Sequence, residues 1–501
     1  MSQDKDHLCR RAGVQVFASG APPVLSGGMR PPPRDHRPAC PPLPSAHASV
    51  VWPALPAPEA ALTAALLQQL EQSQWWTPEE LRGEQLRQAG ALLDHAYRHV
   101  PFYRERLAQA GHLPGKAPTP EVWARIPVLS RAELQQAGDA LFSPEIPQGH
   151  GETYELSTSG STGRPLKARG TMLVQLLFDV LTLREHLWQR RDFNGTMAAI
   201  RSFPNGVADY PEGARNTLWG RSMKGVFDSG PSVMLSIAAT VEEQLDWLRR
   251  RRPDYLLTYP SALRELLLYC RRRNVTIETL REVRTISEQL PQATRDLCRE
   301  VWGLKVVDMY STQEAGYLAF QCPEQPHYHV QSEAVLLEVL NEAGKPCGPG
   351  EVGQVVVTPL LNFAMPMIRY AVGDLAEVGA PCPCGRGLPV LSRVLGRFRN
   401  TLSYPDGRRS WALMGSTNYT RIPVVRQFQI VQHAVDDLEL KIVAERSLTQ
   451  DEEAKMRGWI LDRCGHPFPL RITYHREIPR GPGGKFHDFR CLVPETAEPR
   501  S

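Results

Sequence analysis

Order is predicted to begin near Ala61, and the first clear pattern of apolar positions beyond it is helical. Thr77-Pro78-Glu79-Glu80 combines a capping box with proline at the first helical position, and both features mark a helix N-terminus. Apolar side chains then recur every three or four residues, at Leu86, Ala89, Leu93, Ala96 and Tyr97. The pattern predicts a long helix that begins at Pro78.

Predicted helices and short apolar runs alternate through the middle of the chain. One helix is predicted over about residues 172–191, and another is capped by Thr240 and Glu243 and ended by Pro253. The run DYLLTY that follows is typical of a short buried strand, and the next helix begins at Ser261. This alternation predicts an α/β domain.

The pattern changes twice in the rest of the chain. AVLLEVL and GQVVVTPL predict two strands joined by a turn rich in glycine and proline. Beyond about residue 400, FQIVQ and LELKIVAE predict a hairpin, TQDEEAKMRGWILDRC a capped helix and LRITYHRE a strand. We therefore expect a disordered proline-rich extension at 1–58, a large domain at 61–396 and a small α+β domain at 397–501.

The composition narrows the class of protein. An apolar fraction of 42% and a net charge of +4 are ordinary for a globular chain, and ten cysteines in 501 residues do not make a disulfide scaffold. Arginine runs close predicted helices, where cations suit the helix dipole, so a nucleic-acid surface is not favoured. No apolar run approaches the ~20 residues that span a bilayer. We expect a cytoplasmic protein without nucleic-acid or membrane partners.

A stretch rich in serine and glycine indicates an anion site. Residues 156–167, LSTSGSTGRPLK, contain two glycines, five hydroxyl side chains and a lysine. Glycines let a backbone approach a ligand closely, and hydroxyl and N–H groups bind phosphate. The stretch is not a P-loop, because Leu166 precedes Lys167 where that motif has glycine. Taken alone, a flexible turn explains the stretch equally well.

Five further stretches follow in order: SEQL at 287–290, DMYSTQEAG at 308–316, IRYAVGD at 368–374, LGRFRN at 395–400 and RGPGGKF at 480–486. Each one alone is explained by a turn, a linker or a solvated loop. All six in this order resemble the adenylate-forming superfamily of acyl-CoA synthetases, adenylation domains and luciferases. Within it the chain resembles the phenylacetate–coenzyme A ligase branch, including its capsule-biosynthesis relatives, over about residues 74–490.

The resemblance implies binding sites for ATP, Mg²⁺ and a carboxylic acid. The loop over the ATP phosphates would comprise Ser157, Thr158, Ser159, Gly160, Ser161, Thr162 and Gly163, followed by Lys167. Adenine and ribose would be bound by Ser287, Glu288, Gln289, Tyr310, Ser311, Thr312, Asp374 and Arg397. Glu314 would hold Mg²⁺, and Lys485 would bridge the carboxylate and the α-phosphate. The resemblance makes Lys485, Glu314 and Thr162 the catalytic residues.

The implied fold is a large multi-layer adenylation domain followed by a small mobile α+β domain. The implied reaction forms an acyl-adenylate with release of pyrophosphate and then transfers the acyl group to coenzyme A. Transfer to a carrier-protein thiol or an amine is an alternative, as is a catalytically idle nucleotide-binding partner protein. At the hinge, Phe398-Arg399-Asn400 follow Gly396-Arg397, whereas the family has an acidic residue after G-R-x. This departure would affect the second half-reaction, the transfer of the acyl group, and not the formation of the acyl-adenylate.

The motifs do not specify which carboxylic acid is the substrate. An aryl or arylacetic acid is implied by the resemblance alone. We expect its pocket near residues 199–210 and 316–320.

A separate group of cysteines and histidines has metal-ligand character. It comprises Cys322, His327, His329, Cys382 and Cys384. Soft ligands in two pairs suit a structural Zn²⁺, and four protein ligands would close the site to catalysis. Buried thiols and surface histidines are the alternative. The resemblance favours zinc, but the spacing does not choose between His327 and His329.

Overall fold

The structure, a computed structural model, describes residues 43–50, 52–157, 166–397, 401–411, 422, 424–481 and 484–493. For residues 157, 397, 401 and 409–411 it describes the main chain alone. Most of the predicted extension at 1–58 lies outside these ranges. Near its end, Leu43 packs against a hydrophobic cluster that includes Leu67 and Leu70.

The helices are α1 (Pro58–Ser73), α2 (Pro78–His99), α3 (Pro101–Gln109), α4 (Pro120–Arg125), α5 (Arg131–Ala137), α6 (Met172–Trp188), α7 (Val241–Arg251), α8 (Pro260–Arg273), α9 (Gln292–Trp302) and α10 (Gln450–Cys464). The strands are β1 (Thr153–Ser157), β2 (Lys167–Thr171), β3 (Met197–Arg201), β4 (Ala214–Asn216), β5 (Ser232–Ser236), β6 (Tyr255–Thr258), β7 (Glu282–Thr285), β8 (Val306–Thr312), β9 (Gly316–Gln321), β10 (Tyr328–Val330), β11 (Val335–Leu340), β12 (Val352–Pro359), β13 (Tyr370–Val378), β14 (Val390–Arg397), β15 (Thr401–Ser403), β16 (Arg409–Trp411), β17 (Val425–Ala434), β18 (Asp437–Ala444), β19 (Leu470–Tyr474) and β20 (Phe489–Cys491).

Capping residues fix the beginning of several helices. At α2, the Thr77 side chain accepts a hydrogen bond from the Glu80 N–H, and the Glu80 carboxylate accepts one from the Thr77 N–H at 2.8 Å. Thr240 and Glu243 form the same reciprocal pair at α7. Both predicted helix starts are confirmed, because local sequence alone satisfies the N–H groups that a first helical turn leaves unpaired.

A mixed sheet of twelve strands organises the large domain, in the order β11-β12-β13-β14-β10-β9-β8-β7-β6-β3-β5-β4. Strands β5, β3, β6, β7 and β8 pair in parallel. Helices α7, α8 and α9 connect β5 to β6, β6 to β7 and β7 to β8, as parallel pairing requires. The two strands predicted from AVLLEVL and GQVVVTPL are β11 and β12, which pair antiparallel. The α/β class is therefore confirmed.

The C-terminal residues form a small sheet of four strands, in the order β19-β18-β17-β20. Strands β17 and β18 are the predicted hairpin, and α10 connects β18 to the parallel strand β19. Phe428, Leu440 and Met456 share a buried core between this sheet and α10. The predicted α+β character of this region is confirmed. Among the described residues, no helix has both the length and the apolar composition needed to cross a membrane.

Candidate functional site

The candidate site lies at the carboxyl ends of two neighbouring parallel strands. β7 and β8 pair in parallel, with Thr285 opposite Asp308. The turn Ser287-Glu288-Gln289 follows β7, and Tyr310-Ser311-Thr312 ends β8. Ligands of open α/β sheets bind outside the carboxyl ends of the strands. The fold thus brings two of the predicted nucleotide-binding stretches to one edge of the sheet.

Tyr310 joins this edge to the neighbouring antiparallel strands. Its buried phenol donates a hydrogen bond to Oδ2 of Asp374, on β13, at 2.8 Å. The register places Asp374 opposite Arg397 on β14, and the Arg397 side chain lies outside the described atoms. Three residues predicted for the nucleotide site therefore share one region, and Tyr310 orients the carboxylate of Asp374.

Glu314 lies in the tight turn between β8 and β9, where Thr312 pairs with Gly316. Its side chain is 6% exposed, and its Oε1 accepts a hydrogen bond from the Tyr370 phenol at 3.3 Å and lies 3.7 Å from Nη1 of Arg131. Burial, together with the Glu314 charge, raises the pKa of Tyr370, so the phenol remains a donor. Neither Arg131 nor Tyr370 was assigned from the sequence, although Tyr370 belongs to the IRYAVGD stretch.

A hairpin holds the two ends of the serine- and glycine-rich stretch. β1 and β2 pair antiparallel, with Ser157 opposite the exposed Lys167. The residues between them that were assigned to the phosphates lie outside the described residues: Thr158, Ser159, Gly160, Ser161, Thr162 and Gly163. Their role as a phosphate loop stays a prediction.

Lys485 lies between β19 and β20 of the small sheet, on a loop that contacts the large domain. The N–H of the next residue, Phe486, donates to Oε1 of Glu288 at 2.6 Å. The preceding Gly484 has φ of 76°, and a Cβ there would lie 3.1 Å from Ile237 and 3.3 Å from Tyr259. Glycine permits both that backbone conformation and that close approach. The loop of Lys485 is thereby placed beside the Ser287–Gln289 turn.

Glu288 does not project into open space from that turn. Its buried carboxylate accepts hydrogen bonds from the N–H of Ser261 at 2.9 Å, the hydroxyl of Ser261 at 3.0 Å and the N–H of Phe486. Burial raises the pKa of Glu288, while these donors act in the opposite direction. The adenine contact assigned to Glu288 stays a prediction, and the side chain itself faces α8 and the loop of Lys485.

An aromatic pair lies next to the Glu314 turn. Tyr317 stacks on Phe178 of α6 with ring centroids 4.3 Å apart and an interplanar angle of 8°. Phe178 is 38% exposed, and Thr182 donates a hydrogen bond to the Tyr317 hydroxyl at 3.3 Å. Tyr317 belongs to the segment expected to line the acid pocket. Phe178 was missed, because no sequence spacing links α6 to β9.

The strand that leads to the Ser287 turn is fixed by buried ion pairs. Arg284 on β7 and Arg191 both donate to Glu185 of α6, at 2.5 Å and 2.6 Å, and Arg191 also donates to Glu282 at 2.7 Å. Burial alone would raise the pKa of Glu185, but Arg191 and Arg284 outweigh it and lower the pKa to about 2. The ion pairs hold α6 and β7 together under the candidate site.

The predicted metal ligands converge at one place. Cys322, His329, Cys382 and Cys384 are all buried, and their ligand atoms lie within 4.8 Å of one another. Sγ of Cys322 is 3.9 Å from Sγ of Cys382, and Sγ of Cys384 is 3.4 Å from Nε2 of His329. His327 is not part of this group. The geometry therefore selects His329 and leaves a three-cysteine, one-histidine set that fits tetrahedral Zn²⁺.

Neighbouring groups orient these ligands. Nδ1 of His329 lies 3.4 Å from the Leu388 carbonyl, which leaves Nε2 directed at the thiols. Contacts from Cys322, His329 and Arg386 lower the pKa of Cys384, and the thiolate is the form that binds metal. The cluster connects the segment after β9, β10, and the turn between β13 and β14.

Comparison with known proteins shows what this chain is similar to. Residues 414–489 match the family model described as the CapK C-terminal domain. The phenylacetate-coenzyme A ligase of Thermus thermophilus is 27% identical over 442 residues, which cover 81% of this chain and 95% of that protein. The phenylacetate-coenzyme A ligase of Escherichia coli is 22% identical over 319 residues, 60% of this chain and 68% of that protein.

Solved structures share the fold. 2-Hydroxyisobutyryl-CoA ligase in the postadenylation state superposes with a TM-score of 0.63 at 18% identity, covering 84% of this chain and 91% of that structure. The same ligase in the thioesterification state gives a TM-score of 0.52 at 19% identity, covering 82% and 89%. The resemblance to the adenylate-forming superfamily and its phenylacetate–coenzyme A ligase-like branch is confirmed.

Proposed function

We propose that this chain, as a relative of the phenylacetate–coenzyme A ligases, is an ATP-dependent, AMP-forming acid–thiol ligase. The observation that carries the proposal is the placement of the Lys485 loop against the Ser287–Gln289 turn, at the edge of the sheet that also holds Tyr310 and Asp374. The reaction joins two anions, so it requires a cation at the nucleotide site, and Lys485 of the small domain would supply one.

The first half-reaction joins a carboxylate to the α-phosphorus of ATP. A carboxylate oxygen forms a bond to that phosphorus while the bond to the bridging oxygen of the β-phosphate breaks, and pyrophosphate leaves. Two anions approach each other in this step, so cations and hydrogen-bond donors placed around them lower the barrier. Lys485 supplies such a charge. The hydroxyl-rich residues 157–163 are proposed to bind the departing pyrophosphate.

Asp374 is proposed to bind the ribose, with Tyr310 orienting its carboxylate. Glu314 is proposed to hold Mg²⁺, since a carboxylate oxygen is a preferred ligand of that ion. Mg²⁺ supplies charge neutralisation for the phosphates when it is bound. Tyr370 and Arg131 hold the Glu314 carboxylate in place through its Oε1.

In the second half-reaction a thiol sulfur attacks the acyl carbon, and AMP leaves with the bonding electrons. Coenzyme A is the proposed acceptor. Its entry requires the small domain to move, because the Lys485 loop occupies the nucleotide edge in this arrangement. A carrier-protein thiol or an amine is the alternative acceptor, and the segment 398–400 at the hinge lies outside the described residues.

The Phe178–Tyr317 pair supports an aromatic acid. A stacked and partly exposed aromatic surface next to Glu314 offers a flat face for an aryl ring, and aromatic pairs favour offset or edge contacts with a further ring. An aryl or arylacetic acid therefore suits this wall better than a short aliphatic acid.

We further propose one structural Zn²⁺, bound by Cys322, His329, Cys382 and Cys384. Four soft protein ligands leave no open position for substrate, so the ion would stabilise the fold without taking part in the reaction. It would tie the segment after β9 to the turn before β14. β9 begins just after the Glu314 turn, and β13, which carries Asp374, leads into the turn before β14.

A panel of carboxylic acids tests the function. The whole protein with ATP and Mg²⁺ would be supplied with phenylacetate, benzoates and short aliphatic acids, and pyrophosphate release would be measured against an acid-free control. We expect release with aryl acids before any acceptor is added. Mass spectrometry after addition of coenzyme A, a phosphopantetheinylated carrier protein or an amine would then identify the acceptor. If the protein binds ATP but none of the acids causes release of pyrophosphate, the result would contradict the ligase and favour the idle partner protein.

A further inference from the structure

One buried carboxylate joins the nucleotide turn, the start of α8 and the loop of Lys485. Oε2 of Glu288 accepts from the N–H of Ser261, and Oε1 accepts both from the Ser261 hydroxyl and from the N–H of Phe486. Ser261 lies in the first turn of α8, where N–H groups lack helical partners and the helix dipole is positive. The large domain therefore supplies two of the three donors to this carboxylate, and the loop supplies the third.

Arg480 binds the same spot from the other end of the loop. Its Nη1 donates to the Ser261 hydroxyl at 2.7 Å and to the Gly484 carbonyl at 3.3 Å, and its Nη2 donates to Glu265 at 3.1 Å. Nη1 also lies 3.9 Å from Oε1 of Glu288. Both ends of the 480–486 loop thus contact α8 and the nucleotide turn, with Lys485 carried between them.

We propose that Glu288 is a positioning residue, which docks the Lys485 loop onto the large domain for adenylation and releases it for the second half-reaction. This inference rests on the proposed function. Glu288 acts here through Phe486 and not through contact with adenine. Because it belongs to the turn next to the nucleotide site, docking of the loop is tied to the place where ATP binds.

Hydrogen exchange of the whole protein tests the docking without knowledge of the acid. Amide exchange over 484–488 would be compared in the natural protein, Glu288→Gln, Arg480→Gln and the control Glu300→Gln, whose carboxylate contacts Arg271 on the surface. The glutamine amide offers one acceptor oxygen where the carboxylate serves three donors. We expect exchange to rise about tenfold to a hundredfold in both docking variants, the range for a lost charge-assisted hydrogen bond, and to stay unchanged in the control. Unchanged exchange in both variants would overturn the proposal.

Activity with phenylacetate as the probe separates docking from an adenine contact. We expect both variants to release pyrophosphate about tenfold more slowly at saturating ATP, with the Kd of ATP–Mg²⁺ changed less than about twofold. Thioester formation from supplied phenylacetyl-adenylate and coenzyme A should be unchanged. The double variant should lose less than the sum of the two single variants, because both residues hold the same loop.

The two proposals fail in different ways. Weaker ATP binding with unchanged loop exchange in Glu288→Gln would overturn the positioning role and assign the residue to adenine. Absence of pyrophosphate release from the natural protein would contradict the ligase, while the exchange rates would still decide whether Glu288 docks the loop. Arg480→Gln keeps the test intact if Glu288→Gln does not fold.

Discussion

At the residue scale, two tyrosine–aspartate hydrogen bonds in one sheet serve different purposes. Tyr310 donates to Asp374 at 2.8 Å at the candidate nucleotide site, and Tyr328 donates to Asp308 at 2.7 Å in the interior. Asp308 also accepts from Thr285, and burial raises its pKa. The bond to Asp374 orients a group proposed to bind ligand, whereas the bond to Asp308 satisfies a buried carboxyl group.

Tyr310→Phe should weaken ATP–Mg²⁺ binding by about tenfold, because Asp374 loses a donor worth about 1.5–3 kcal/mol. Tyr328→Phe, the matched control, should lower the free energy of unfolding by a similar amount and leave ATP affinity unchanged. Calorimetric titration with ATP–Mg²⁺ and urea unfolding measure the two effects. Equal ATP affinity in all three proteins would contradict the placement of the ribose at Asp374.

Lys485→Ala should reduce acid-dependent pyrophosphate release by at least about a thousandfold, since the lysine charge acts mainly in the transition state. The affinity for ATP should change little. Lys455→Ala is the control, because Lys455 pairs with Asp451 on the exposed face of α10. A Lys485→Ala protein with undiminished release would exclude the catalytic role assigned to this residue.

At the scale of elements, the structure confirms the helices and strands that were predicted from local sequence signals. Capping boxes placed α2 and α7, and apolar runs placed β11 and β12, because neighbouring residues decide those features. The contact between Phe178 and Tyr317 depends on the packing of α6 against β9. The choice of His329 over His327 depends on the path of β10. Such pairings leave no pattern in a single sequence.

The ion pairs between α6 and β7 predict a pH dependence of stability. The pKa of Glu185 falls from the ordinary 4.5 to about 2 in the folded protein, so its stabilising contribution is complete above about pH 4.5 and is lost as the pH falls towards 2. Glu185→Gln should lower the free energy of unfolding by about 3–5 kcal/mol at pH 7, because Arg191 and Arg284 lose their buried partner.

Glu155→Gln is the control for that experiment, since Glu155 pairs with Arg169 at an exposed position on β1. Its effect should stay within about 1 kcal/mol. Urea unfolding at several pH values measures both variants. A Glu185→Gln protein as stable as the natural one at pH 7 would show that the ion pairs do not hold α6 to β7.

The proposed metal centre ties three elements together and predicts a stability effect. Cys384→Ser should remove zinc, lower the melting temperature and weaken ATP binding, because β9, which follows the Glu314 turn, and β13, which carries Asp374, lose a shared support at their C-terminal ends. Cys347→Ser, which alters a cysteine outside the cluster, should do neither. Metal analysis of protein purified without a histidine tag measures the zinc directly. Zinc far below one equivalent, together with no change on chelation, would leave the four residues as buried thiols and an imidazole.

At the scale of the whole molecule, the motif order predicts which stretches belong to one site, but not the sheet that brings them together. No periodicity specifies that β14 lies beside β10 or that β9 turns back along β8. The docking of the small sheet on α8 likewise depends on residues far apart in the chain. Arg264, which is 2% exposed, donates from both terminal nitrogens to Asp488 next to β20, at 3.1–3.2 Å.

Asp488→Asn should therefore shift the balance between the two half-reactions. The Arg264–Asp488 pair joins the small domain to α8 in this arrangement, and it must break if the small domain moves to admit a thiol. Loss of the charged partner should slow pyrophosphate release about tenfold and leave thioester formation from supplied acyl-adenylate unchanged or faster. Asp437→Asn, which alters an ion pair with Arg471 within the small sheet, should affect neither step. If Asp488→Asn slowed both half-reactions equally, the contact would stabilise the protein as a whole and would not select one arrangement of its domains.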